Sequence, residues 1–307
     1  MHLPDPLAAV VRGALVDAAE RGVNVRLAYN LDDDERVPVP PPPRTRPELI
    51  ESLPFATAAI PGAHDLMHHK YVVRDGGALW TGSTNWTSDS WTREENVILV
   101  VESRELAQRF QADFEQLWTR RDVEKSGHVP SAPIDVTGVS VRPWFCPGHG
   151  EQLAHRIAKA IGTATRRVRI ASPVISSGPI LGTLAQVASD GRVDLAGVVD
   201  RTQILDVIRQ WRLNGNAPWK EPLLHTALTR APFSGKESTP YAPGRVHDYM
   251  HAKVTVADDR VFLGSFNLSH SGEQNAENVL EIEDASLADT LAAFIDGVRE
   301  RYPAIAL

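Results

Sequence analysis

Residues 64–75 read HDLMHHKYVVRD, and residues 247–258 read HDYMHAKVTVAD, with His, Asp, Met, His, Lys and Asp at matching offsets. The agreement continues beyond both stretches. GGALWTGSTN and then EENVILVVE follow the first, and DRVFLGSFN and then AENVLEIED follow the second. His68 to Asn85 is 17 positions and His251 to Asn267 is 16, while His68 to Glu95 is 27 and His251 to Glu277 is 26. One extra residue accounts for both differences, and a Gly-Gly hairpin turn after Asp75 is where it costs least. The chain therefore reads as an internal duplication, each copy carrying His-x-Lys, four residues, Asp, then Gly-Ser-x-Asn, then Glu-Asn-Val.

Working outward, residues 6–22 have apolar positions at helical spacing, and GVNVRLAYN follows as a strand. The acidic, then proline-rich run LDDDERVPVPPPPRTRP can continue neither element and reads as an exposed loop. A strand pair over 70–85, a strand over 96–101 and the helix RELAQRFQADFEQLW complete a first half, 1–121. Residues 122–138 read as a linker, and 139–307 as the second half. That second half opens with VRPWFC, the helix EQLAHRIAKAIGTA, the strand RRVRIASPVI, the helix ILGTLAQVAS and the strand VDLAGVVD. Matching VNVRLAYN to VDLAGVVD leaves the first half without a counterpart of about 139–177, so its front reads as truncated. Strands alternating with helices predict two similar α/β halves, each a mixed, mostly parallel sheet with flanking helices, related by a pseudo-twofold.

Composition narrows the classes. The chain has 307 residues, 42% of them hydrophobic, which is enough for a substantial core. A net charge of -7 and a pI near 5.9 argue against an unspecific nucleic-acid binder. Cys146 is the only cysteine, so neither an internal disulfide nor a cysteine metal site can form. It lacks a duplicate, which speaks against a catalytic thiol. No apolar run is long enough to span a membrane, and the N-terminal segment lacks the order of a signal peptide, so the expectation is a cytoplasmic protein.

Strand alternation puts His68 and Lys70 on one face and His69 on the other, and likewise groups His251 with Lys253. These residue types suit phosphodiester cleavage. Lysines supply point charges for phosphate oxygens, Ser and Asn at a glycine turn supply neutral donors, and histidine serves as nucleophile or proton donor near neutral pH. None of this requires a metal, and no cofactor is expected.

On these residues the chain resembles the phospholipase D superfamily, whose double His-x-Lys-x4-Asp signature stands here as HHKYVVRD and HAKVTVAD. The resemblance implies that the two motifs meet between the halves, that one histidine attacks phosphorus to form a phosphohistidine, and that the other protonates the leaving oxygen. Carried over, the catalytic set is His68, Lys70, Asp75, His251, Lys253 and Asp258, with His68 favoured as nucleophile. Asn85, Asn267, Ser83 and Ser265 would bind the phosphate oxygens, and Glu95 and Glu277 would orient the histidines. Asp75 and Asp258, at the far strand ends, are better placed to organise turns. His64 and His247, with Asp65 and Asp248, are candidates for the rim of the site.

The implied activity is metal-independent phosphodiester hydrolysis, with phospholipid favoured over nucleic acid and peripheral membrane contact possible. The preference rests on the acidic balance and on the apolar and aromatic stretch 209–244, read as a loop before the second motif. An endonuclease is the alternative, with Arg201, Arg209, Arg212, Lys220, Arg230 and Lys236 tracking a backbone. A noncatalytic phosphate-binding or partner-binding scaffold is a second, disfavoured because both motifs are intact. Trp80, Trp86 and Trp91 read as core or pocket lining.

Overall fold

VDLAGVVD and HAKVTVAD are nearly continuous apolar runs, the pattern of strands covered on both faces. The computed structural model, which describes residues 6–31, 47–62, 65–239 and 247–307, buries both at the centre of one sheet. The proline-rich loop and His64 lie outside the described residues. The first half runs α1 (Pro6–Glu20), β1 (Arg26–Leu31), α2 (Pro47–Glu51), β2 (Ala56–Pro61), β3 (Tyr71–Arg74), β4 (Ala78–Gly82), α3 (Ser88–Thr92), β5 (Ile98–Glu102) and α4 (Arg104–Arg120). The second opens with β6 (Ile134–Val136), β7 (Val139–Cys146), α5 (Gly150–Thr163), β8 (Arg167–Ser172), α6 (Gly178–Asp190) and β9 (Asp194–Asp200). It continues with α7 (Arg201–Asn214), α8 (Lys220–Thr229), β10 (Phe233–Lys236), β11 (Val254–Ala257), β12 (Arg260–Gly264), α9 (His270–Gln274), β13 (Glu277–Glu283) and α10 (Ala285–Arg299).

The second-half sheet has the order β10-β9-β8-β11-β12-β13-β7-β6. Parallel pairing, expected through most of each sheet, is confined there to β10-β9-β8, and all its other neighbours are antiparallel. The tight hairpin between β11 and β12 requires antiparallel pairing, and the connection from β12 to β13 holds only the short α9 rather than a full crossover helix, which is why the pairing changes. Two further expectations change. The segment 122–138 is no free linker, since β6 joins the sheet edge and Val123, Ser126 and Val129 are buried. The described part of the stretch 209–244, through residue 239, is mostly α7, α8 and β10 rather than loop. Its aliphatic residues pack α7 against β9 and β10 and α8 against α6.

In the first half β1 and β2 pair parallel, and β3-β4-β5 form a separate antiparallel sheet. These correspond to β9-β10 and β11-β12-β13. The position that β8 fills in the second half has no strand among the described residues of the first. Instead β1 and β3 line a cleft of about 450 Å³. Their side chains are mostly half-buried where those of β9 and β11 are almost all buried. The two halves nevertheless share a core, in which Leu79, Leu106 and Phe110 pack with Phe145, Val254, Leu263 and Leu280.

Candidate active site

Each motif histidine is held by the opposite half. The His68 N–H donates to the Ala276 carbonyl at 3.0 Å, and the His251 N–H donates to the Glu95 carbonyl at 3.1 Å. Met67 and Met250, one residue earlier, bridge the same two partners. The Met67 N–H donates to Asn30 Oδ1 at 2.9 Å and the Met250 N–H to Asp200 Oδ2 at 3.0 Å, so the end of β1 and the end of β9 fix the approach to each motif. Lys70 Nζ donates to the His68 carbonyl, and Lys253 Nζ to the His251 carbonyl, both at 2.7 Å. Both lysines are buried.

The histidines differ in what stands behind them. His68 Nδ1 lies 2.8 and 2.9 Å from the two oxygens of Glu277, whose side chain is fully buried. Nδ1–H therefore donates to the carboxylate and Nε2 keeps its lone pair. His251 Nδ1 lies 3.1 Å from Asn96 Oδ1, with Glu94 Oε2 at 3.4 Å. Glu95, expected at His251, faces elsewhere, toward Lys236 at 2.8 Å, Tyr302 and Arg301.

The correction has a register cause. Ser83 N–H donates to Val97 O, as Ser265 N–H does to Asn278 O, and Gly82 pairs with Ile98 as Gly264 does with Val279. The residue equivalent to Glu277 is thus Asn96, and Glu94 is equivalent to Asn275. A second extra residue lies in the α3 connection, and the matching letters Glu-Asn-Val are one place out of register. The glycines are required at this junction, because a Cβ on Gly82 would stand 2.1 Å from Val97 O and one on Gly264 2.0 Å from Asn278 O.

Consequently the halves hold the same two side-chain types in exchanged places. Behind His68 comes a carboxylate, Glu277, to which the Asn275 amide donates at 3.3 Å. Behind His251 comes an amide, Asn96, which donates to the Glu94 carboxylate at 3.1 Å. Ser83 and Ser265, expected at phosphate, are buried. Ser83 Oγ donates to Asn96 Oδ1 at 2.7 Å, and Ser265 hydrogen-bonds Glu277, so the serines brace the groups behind the histidines. Asn85 and Asn267 are half-buried.

Asp75 and Asp258 sit at the far strand ends in left-handed backbone, with φ of 52° and 54°. Asp258 accepts backbone N–H bonds from Thr165, Arg166 and Arg167 at 2.9 to 3.1 Å, fastening the start of β8. Asp75 is exposed. Neither belongs with the site. His69 points away from its neighbour, toward Asn278 Oδ1 at 3.2 Å and Asp113 at 3.0 Å. Cys146 is buried, and burial pushes its thiol well above the usual range, which suits an inert core residue. His247 contacts Asp89 and Glu94, while Asp248 accepts the Thr239 N–H at 2.7 Å. Trp80 stacks on Trp91, which is exposed.

Asn30, Asp200, Glu94 and Asn96 were missed in the sequence. For the first pair a signal existed, since VNVRLAYN and VDLAGVVD, matched end to end, put Asn30 against Asp200. The second pair is hidden by the misleading Glu-Asn-Val identity.

Charges in the site act on one another. Burial lowers Lys70 to about 8 against the attraction of Glu277 and Glu94. Burial and Lys70 push Lys253 well below its ordinary value. Burial lowers His68, with Glu277 opposing. Burial and the charges of Lys253, Lys70 and His68 drive His251 well below its ordinary value. Burial alone would raise Glu277, yet His68 and Lys70 hold it below the usual carboxylate range. Burial raises Glu94. Two desolvated lysines, beside two imidazoles that burial and those charges hold toward the neutral form, thus make an electropositive centre whose charges an entering anionic phosphodiester would offset.

A family model described as cardiolipin synthase, PLD-like domain, matches residues 8–118 and 157–298. The chain belongs to this phospholipase D-like family, whose members are phosphodiesterases. Mitochondrial cardiolipin hydrolase of Xenopus tropicalis is 36% identical over 73 residues, 22% of this chain and 35% of that protein. The human protein of the same name is 33% identical over 64 residues, 21% and 25% of the two chains. The matched stretches thus cover only about a third of these relatives or less. Phosphatidylserine synthase of Haemophilus influenzae superposes with a TM-score of 0.60 at 13% identity, covering 96% of this chain and 84% of that one, and shares the fold. Nuc of Salmonella typhimurium, also named as a phospholipase D family member, gives a TM-score of 0.39 at 18% identity over 53% of this chain and 95% of that one.

Proposed function

We propose that the protein hydrolyses phospholipid phosphodiesters at a single site built from both motifs, through a phosphohistidine on His68. The observation that carries this reading is the crossed support of the two histidines: His68 rests on Glu277 and Ala276 of the second half, and His251 on Asn96 and Glu95 of the first.

Lys70, Lys253, Asn85 and Asn267 receive the nonbridging oxygens. His68 Nε2 attacks phosphorus, and the P–O bond to the head-group alcohol breaks as His251 gives its proton to that oxygen. Glu277 stabilises the cationic ring that attack leaves on His68. Asn96 brings no charge to His251, which makes its protonated ring the readier donor. The phosphate anion offsets the lysine charges that otherwise keep His251 unprotonated. Water, deprotonated by His251, then cleaves the N–P bond and releases phosphatidic acid. The lysines supply the positive field, so turnover does not depend on an added metal ion.

Three features support lipid over nucleic acid. The curated relatives are named cardiolipin hydrolases. Arg201, Arg209, Arg212 and Lys236 are engaged by Glu237, Asp206, Glu221 and Glu95, and Lys220 by the Ser176 carbonyl, rather than lining a free basic track. Trp91, Trp80 and Val100 make a partly exposed apolar patch, Trp80 lying across from Val100. The test is a side-by-side turnover screen of phosphatidylcholine, cardiolipin, single-stranded DNA and RNA, with and without EDTA. Lipid turnover that survives the chelator is the expected result; turnover of nucleic acid alone, or none without a divalent ion, contradicts the reading.

A further inference from the structure

One cluster of titratable side chains beside the site joins Glu94, which stands behind Asn96, to two groups that the chemistry above does not use. Asp89 of α3, Glu94 just beyond it and His247 ahead of the second motif bring one ligand atom each within 4.8 Å of one another. No other such trio of His, Cys, Asp or Glu stands out among the described residues. Asp89 Oδ2 touches His247 Nε2, and Glu94 Oε1 lies 3.4 Å from the same nitrogen.

The cluster is buried and unbalanced. The Glu94 side chain is 1% exposed. Its Oε2 is engaged by Ser90 at 2.6 Å and Asn96 at 3.1 Å, whereas its Oε1 is buried with no hydrogen bond. A single ring nitrogen carries at most one proton and cannot serve two carboxylate oxygens. Leaving a buried anionic oxygen unserved is costly, and such a group calls for an explanation. A dication at the common point would satisfy all three atoms and neutralise both carboxylates.

We propose that Asp89 Oδ2, Glu94 Oε1 and His247 Nε2 form a binding site for a first-row divalent cation, Zn²⁺ foremost, that clamps the first half to the second. One imidazole and two carboxylates are ligands zinc takes readily, and three protein ligands leave a fourth position for water. Ligands around a tetrahedral ion about 2.0–2.1 Å away stand roughly 3.3 Å apart, close to the separation of His247 Nε2 from Glu94 Oε1 at 3.4 Å. The Asp89–His247 contact opens slightly on loading. The two carboxylates come from the segment between β4 and β5 and the imidazole from the segment before β11, so the ion is a cross-link between halves rather than a participant in phosphoryl transfer. Binding to the folded state alone raises stability by mass action. The site shares Glu94 with the support of His251, but its readouts do not involve turnover, so it can fail while the phosphodiester reading stands.

The experiment is calorimetric titration of chelator-treated full-length protein with ZnCl₂, thermal melting with and without Zn²⁺, and X-ray absorption of the loaded protein. One ion per chain is expected at a dissociation constant of about 10 μM or tighter, with a rise in Tm and a shell of one imidazole nitrogen with carboxylate and water oxygens. Asp89→Asn and Glu94→Gln should each abolish the tight ion and the Tm rise. His155→Ala and His270→Ala, at exposed histidines beside Glu151 and Glu273, should retain both. Absence of a tight ion in the wild type, a shell with two or more imidazoles, or tight binding that survives in Glu94→Gln overturns the proposal. The wild-type absorption shell decides the matter even if a variant fails to fold.

Discussion

Behind His68 stands a carboxylate with an amide beyond it; behind His251 stands an amide with a carboxylate beyond it. The same exchange recurs at the approach to each motif, where Asn30 holds Met67 and Asp200 holds Met250. Burial raises that Asp200 carboxyl to about 6. Two nearly identical motifs are thus set in environments of opposite charge order. An imidazole backed by an anion tolerates a lasting positive charge, and one backed by a neutral amide gives up its proton more easily. On the proposed mechanism, division of labour between like histidines follows from what lies behind them.

The largest effect tests whether the halves form one centre. His68→Ala and His251→Ala should each reduce turnover by at least about 10³-fold, with the double variant little worse, because groups acting as a unit are not additive. Substantial turnover in either single variant would break the comparison into two separate sites. Next comes the exchange itself. Glu277→Gln removes the charge behind His68 and should lower kcat on the order of 10²-fold or more. Glu94→Gln, one place further from its histidine, should lower it only about tenfold, the worth of roughly one hydrogen bond. Equal losses would erase the asymmetry.

Asn96→Asp sharpens the same point through pH. An anion at that position raises the pKa of His251, so its acid form persists to higher pH. The alkaline limb of kcat/KM should therefore move up, and a limb that stays put or moves down would show that His251 is not the acid.

The smallest predicted effect concerns the strand ends. Asp258 fastens β8 through three backbone N–H groups, while Asp75 faces the cleft where the described residues of the first half include no such strand. Asp258→Asn should cost about 1–2 kcal/mol in chemical denaturation, and Asp75→Asn within about 0.5 kcal/mol. Partial burial would raise Asp258, but bonds from Thr165, Arg167 and Arg166 hold it below its ordinary value. Its contribution is therefore present above the usual carboxylate range and fades as pH falls through the lower folded value, so the gap between wild type and Asp258→Asn should close in strong acid. Equal costs for the two variants would mean that β8 plays no part in the difference.

Much of this was legible in the sequence because it is periodic or repeated. Strand alternation separated His68 from His69, and the missing counterpart of 139–177 marked the front of the first half as short, where a cleft lies between β1 and β3. What stayed hidden depends on register. One residue inserted in a polar connection costs nothing in pattern, yet it moved Glu95 off His251 and put Asn96 there. Serines of a glycine turn carry the same letter whether they face phosphate or the core. Ser83 and Ser265 face inward, where their hydroxyls accept the Val97 and Asn278 N–H groups. The parallel share of the sheet was overestimated because the alternation of strands with helices that predicted it gives way to antiparallel neighbours at β11, β12 and β13.

The claim that unlike surroundings make His68 the nucleophile is tested most directly by trapping the intermediate. In His251→Ala, attack on a substrate with a nitrophenolate leaving group needs no proton donor, while hydrolysis of the adduct lacks its base. The account predicts a single-turnover burst of nitrophenolate and an acid-labile phosphoryl group on His68, located by mass spectrometry under alkaline handling. An adduct on His251 in the wild-type protein, or one still trapped in His68→Ala, contradicts it.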